Sequence, residues 1–169
     1  MRKSILLTTI FLISIASSAQ FKKELSIKDS IELNHALNYL FTAIQSHDTL
    51  AIKSVSLPIL HCTFCDSGFT KEMEHNFNDF VNTLFRYTYL PRILKEYKYN
   101  RYFYHLNRVK DPPVPFIRNI KADDSNIYEV FFEILKPNEL SPGHEGADFI
   151  FQFVKSNGHF VLFGMMTIP

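Results

Sequence analysis

The chain has no surplus of charge, no long apolar run, few cysteines and none of the short motifs that mark common chemistries. Its 169 residues carry 18 basic and 17 acidic side chains, whereas a nucleic-acid binder would carry a basic surplus. The apolar run Ile5 to Ala16 falls short of the roughly twenty residues that a membrane-spanning helix needs. No glycine-rich phosphate loop, Gly-x-Ser-x-Gly elbow or His-Glu-x-x-His pair is present, so no catalytic apparatus can be read off a motif. The only cysteines are Cys62 and Cys65, and a structural zinc usually takes a second ligand pair at similar spacing. Haem attachment would need histidine directly after the second cysteine, and Asp66 stands there.

What the N-terminus does contain is informative. Met1-Arg2-Lys3 is a short positive region, the apolar run follows, and Ser17-Ser18-Ala19 places small residues before Gln20. That order predicts a secretory signal peptide over 1–19, cut after Ala19. No cysteine lies near the cut, which argues against a lipid anchor. The expectation is an exported protein, periplasmic or secreted, without a stable membrane anchor. A single α+β domain would fill 20–169, long enough for a real core. Losing Arg2 and Lys3 turns 18 basic against 17 acidic residues into a net charge of −1, which again gives nucleic acid no hold.

In an exported protein, Cys62 and Cys65 read first as a disulfide closing a short loop. A metal site completed by His61, Asp66 or His75 and a redox pair are the alternatives. A redox pair wants its first cysteine at a helix N-terminus, and Ser67-Gly68 argues against a helix there.

Periodicity places the elements. Leu33, Ala36, Leu37, Leu40, Phe41 and Ile44 recur at three- and four-residue spacing, predicting a helix from Asp29 or Ser30 to about Ser46. Asp48 or Thr49 can cap a second short helix, ended at Pro58. Ile59 to Cys62 reads as a short strand. A third helix is predicted from a Thr70 cap to Phe85, and Pro91 opens a helical turn from Leu90 to Tyr97. Strands are expected over Tyr97–Val109, Phe116–Ala122 and Ile127–Lys136. In the last, Tyr128, Val130, Phe132 and Ile134 share a face, and Glu129 and Glu133 read as the wetter side. His144 sits in a Pro/Gly-rich loop that can rim a pocket.

The clearest local signal is at the end of the chain. Asn157-Gly158 separates two alternating apolar runs, the signature of a two-residue hairpin turn. That loop sets a register with Phe153 facing Leu162, Phe151 facing Gly164 and Phe149 facing Met166. Both faces of this hairpin are apolar, whereas an ordinary antiparallel sheet leaves one face wet. The 17 Phe and 8 Tyr suit a sheet with two buried faces or a lined pocket.

The helical opening ALNYLFTAIQSHDTLAIKSV, then LPIL, a third helix and a terminal strand meander resemble the NTF2-like superfamily, with its SnoaL-like and ketosteroid-isomerase-like cones. The resemblance covers most of residues 30–168 and is one of layout, without a signature motif. It implies N-terminal helices packed on a curved antiparallel sheet, a cone whose concave face lines a pocket, and a sheet exterior that often forms a homodimer. The expected ligand contacts are Phe149, Phe151, Phe153, Leu162, Tyr102 and Tyr104, and no cofactor is called for. The function expected is non-catalytic: binding of a small apolar ligand or a protein partner. The alternative is a small cone-fold isomerase or hydro-lyase acting on a hydrophobic substrate. That enzyme needs a buried carboxylate or histidine with a shifted pKa at the pocket base, and no motif here carries one.

Overall fold

A computed structural model describes residues 25–65, 74–108 and 126–169. The predicted signal peptide, the Thr70 cap and the predicted strand 116–122 lie outside the described residues. Helices α1 (Ile27–Gln45) and α2 (Thr49–Ser54) lead into strands β1 (Ser56–Cys62) and β2 (Glu74–Asn76). Helices α3 (Phe77–Arg86) and α4 (Leu90–Lys98) follow, and then β3 (Phe103–Arg108), β4 (Asn126–Leu135), β5 (Ala147–Ser156) and β6 (His159–Ile168). The α+β class is as expected: among the described residues, helices pack against one six-stranded sheet of order β2-β1-β6-β5-β4-β3. The sheet is mixed, because β1 runs parallel to β6 while the other pairs are antiparallel.

Local chemistry explains the helix starts. Ser26 caps α1 by accepting from the Asp29 amide, and Asp48 caps α2 by accepting from Ala51. The third helix begins later than its sequence pattern predicts. Residues Glu74 to Asn76 pair with Ile59 to His61 of β1, and the Asn76 side chain then caps α3 through the amides of Asn78 and Asp79. A tertiary strand partner thus takes the segment that propensity assigned to the helix. Tyr97 and Lys98 likewise finish α4 instead of opening β3.

All four helices bury their apolar stripes in one cluster with Tyr128, Val130, Phe132 and Ile134 of β4 and Phe149, Phe151 and Phe153 of β5. Lys155 ties the hairpin to α1, with Nζ 2.6 Å from Asp29 and 3.3 Å from Glu32. The Lys155 hydrogen bond, helped by Ser26, holds the Asp29 carboxyl below the usual carboxylate range.

The terminal hairpin forms on Asn157 (φ 52°) and Gly158 (φ 77°), the left-handed pair that its two-residue turn requires. Near the turn the register is the expected one, with Phe153 opposite Leu162. Beyond it the register slips by one: Gln152 faces Gly164, Phe151 faces Met165, Ile150 faces Met166 and Phe149 faces Thr167. Phe163 is the extra residue of a β-bulge, and a slip of one sends every later side chain to the other face. Met165 therefore joins the helix-side core, and Gly164 lies opposite Gln152 rather than Phe151. The reason is β1. A Cβ on Gly164 would sit 2.5 Å from the His61 carbonyl oxygen and 2.8 Å from the His61 Cβ, so only glycine admits β1 alongside β6 here.

Candidate functional site

The expected ligand contacts do come together, on the helix-facing side of the sheet. Phe149, Phe151, Phe153 and Leu162 are all at most 1% exposed. Tyr102 and Tyr104 are half-buried and pack against the same cluster. Phe151 stands 4.9 Å from Phe149, 6.1 Å from Phe132 and 5.6 Å from Phe41, ring centre to ring centre. Tyr102 lies 5.4 Å from Phe132, and Tyr97 stacks on Phe41 at 3.9 Å. An unbroken aromatic path thus runs from a tyrosine rim into the core.

The rim has its own polar order. Asn34 and Asn38 sit one turn apart on α1 and present side-chain carbonyls on one face. Tyr97 donates its hydroxyl to Asn38, and Tyr104 donates to Asn34. Tyr102 donates to the same Asn34 oxygen at 3.4 Å, which two lone pairs permit. Burial pushes the Tyr104 and Tyr97 hydroxyls above the ordinary tyrosine value, with Tyr102 adding to both. Across the core, burial lifts Tyr87 to about 12, with Tyr89 adding. These phenols stay neutral donors at physiological pH. Aromatic rings, amides and neutral phenols provide contact area and hydrogen bonds.

The opposite sheet face carries what the sequence reading missed. Four cross-strand pairings place His61 (β1), Gly164 (β6), Gln152 (β5), Glu129 (β4) and His105 (β3) in one line. His61 Nδ1 is 2.8 Å from Gln152 Oε1, and Gln152 Nε2 donates to Glu129 Oε1 at 2.8 Å. His105 Nδ1 is 3.5 Å from Glu129 Oε2. Gly164 has no side chain, so His61 and Gln152 meet across the intervening strand. Glu129 is 6% exposed and Gln152 4%. Glu129 is therefore not on a wet face, contrary to its sequence reading. Alternation alone could not show this, since its burial depends on neighbours from other strands. Burial holds the His61 imidazole below its ordinary value, opposed by its bond to Gln152.

Cys62 and Cys65 form the expected disulfide, with S–S 2.07 Å. Among the described residues no group of three or more His, Cys, Asp and Glu side chains is placed to hold a metal ion. No described helix is long and apolar enough to cross a membrane. His144 accepts from the Gly146 amide within the β4–β5 loop, and Glu133 is exposed beside Asp148. Compared with models of known protein families the chain matches none, and no curated protein aligns with it significantly.

Proposed function

We propose that the protein is an exported, non-catalytic domain of the NTF2-like type that binds a small apolar ligand at the tyrosine-rimmed end of its helix–sheet core. The observation that carries this reading is the convergence of Tyr97, Tyr102 and Tyr104 on Asn34 and Asn38. That rim sits over the path through Phe41, Phe132 and Phe151. A ligand with an apolar body and one hydroxyl or carbonyl would displace a tyrosine from its amide and lie against Phe41 and Phe132. The element order and the helix-on-sheet layering support the NTF2-like reading, and the Cys62–Cys65 disulfide supports export.

Two other readings have less behind them. An isomerase or hydro-lyase needs a buried acid or base at the pocket base, and the buried carboxylate Glu129 is on the opposite face. A homodimer through the sheet exterior needs that face open. Its central residues Ile150, Gln152, Val154 and Phe163 are at most 4% exposed within one chain.

Titration with a neutral aromatic alcohol, 2-naphthol, followed by amide NMR, tests the proposal. Shifts should centre on Tyr102, Tyr104 and Phe132. Asn34→Ala should weaken binding by about three- to tenfold, the worth of one or two neutral hydrogen bonds. Shifts that map elsewhere, or an affinity indifferent to Asn34, would overturn it.

A further inference from the structure

The helix layer carries a groove that shares no lining residue with the tyrosine rim or the polar line. It has a volume of about 360 Å³ and runs between α2 and α3, at the small end of the range that holds small molecules. Phe77 and Val81, one turn apart on α3, are buried and form its floor. Asn78 and Asn82 form the next ridge of the same helix and line one wall. Leu50 and Lys53, three apart on α2, form the other.

Charge and polarity in the groove are one-sided. Lys53 Nζ lies 5.8 Å from the Phe77 ring centre, and Lys53 has no carboxylate partner among the described residues. The acids nearest in sequence are occupied by helix ends. Asp48 accepts from the Ala51 amide, and Asp79 accepts from the Asn76 side chain. The first free amides of α3 are already bonded to Asn76, so a ligand would meet side chains rather than the helix end. Leu50 is 78% exposed beside this unpaired cation. Among the described residues, an apolar floor, an exposed leucine, one ammonium, the Thr49 hydroxyl, two amides and no lining carboxylate are complementary to an anion with a short apolar body.

We infer that this groove binds a small amphipathic carboxylate, carrying one aryl ring or a short alkyl chain. The carboxylate would sit on Lys53 with the Asn78 and Asn82 amides donating, and the apolar body would lie on Phe77 and Val81 against Leu50. The site is independent of the tyrosine rim.

The probe is 4-phenylbutyrate, with its uncharged amide as control, titrated into the protein and followed by amide NMR. Shifts should centre on Leu50, Lys53, Val81 and Asn82. The amide should bind at least about fivefold more weakly, as expected for loss of one exposed ion pair. Lys53→Glu should abolish binding, Lys53→Arg should retain it, and Asn34→Ala should leave it unchanged. Lys53 is exposed, so neither of its variants should disturb folding. Equal binding of acid and amide, an unaffected Lys53→Glu variant, or no shift at about 10 mM, where even a few kcal/mol would register, would each sink the inference. Shifts confined to the tyrosine rim would sink it too, while favouring the first site.

Discussion

On its helix-facing side the sheet presents Val130, Phe132, Phe149, Phe151 and Leu162 to four amphipathic helices. On the other side, Phe103, Phe131, Ile150 and Met166 form one cross-strand row. Ile127, Val154 and Phe163 form a second apolar group, and the polar line His61–Gln152–Glu129–His105 runs across the same face. Apolar packing is non-directional, so a hairpin with two greasy faces specifies its register weakly. Hydrogen bonds are directional, and buried polar groups are costly when unpaired. Only the bulged register brings Gly164 into line with Gln152, so that His61 can reach across β6. The helix-facing side supplies the bulk of the stability, and the other side selects one alignment of six strands.

Four perturbations would break or sharpen that contrast. Phe151→Ala, on the helix-facing side, should cost about 3–5 kcal/mol, because it removes a ring and leaves a cavity among rings already in contact. Urea unfolding measures it; a cost under about 1 kcal/mol would mean the two faces do not differ as described. Gly164→Ala should come next at about 2–3 kcal/mol, since the new methyl meets β1 backbone that cannot swing aside. In NMR spectra of that variant, the His61 ring should no longer be hydrogen-bonded to the Gln152 amide.

Gln152→Leu should cost about 1–3 kcal/mol by leaving Glu129 buried without its amide donor. The double variant Gln152→Leu/Glu129→Leu should recover part of that loss. Strict additivity in the cycle would show that the line is not a coupled network. The smallest effect is acid sensitivity. The fold holds His61 below its ordinary imidazole value of 6.5, so the unfolded chain binds its proton more readily. Stability contributed by neutral His61 is complete above that value and falls as the pH drops through the lower folded value. His75 opposes the proton on His61, while Glu129 and Glu74 favour it. Replacing His61 by Gln should flatten the fall in stability as the pH drops below the ordinary imidazole value; an unchanged slope would place the acid sensitivity elsewhere.

Much of the fold was legible in the residues. The 3.6 spacing of Leu33, Leu37, Phe41 and Ile44 marked α1, and Tyr128, Val130, Phe132 and Ile134 marked the inner face of β4. Asn157-Gly158 marked the turn. Candidate ligand contacts chosen from alternation fell on one face, although the rim amides Asn34 and Asn38 were not foreseen. Their signal was present: two Asn residues four apart on α1, beside its apolar stripe. The polar line was hidden for a different reason. Glu129 and Gln152 look like ordinary outward positions until β1, β3 and β6 are placed beside them.

The sequence by itself determined the α+β class, the positions of most elements, the hairpin turn and the cysteine pairing, because each depends on neighbours within a few residues. Tertiary structure alone decided the parallel seam of β1 with β6, the bulge at Phe163, the late start of α3 and the alignment of His61 with Gln152 and Glu129. Those features join residues up to 106 positions apart, Ser56 and Leu162, and local propensity carries no information about which distant backbone will lie within a hydrogen bond's reach.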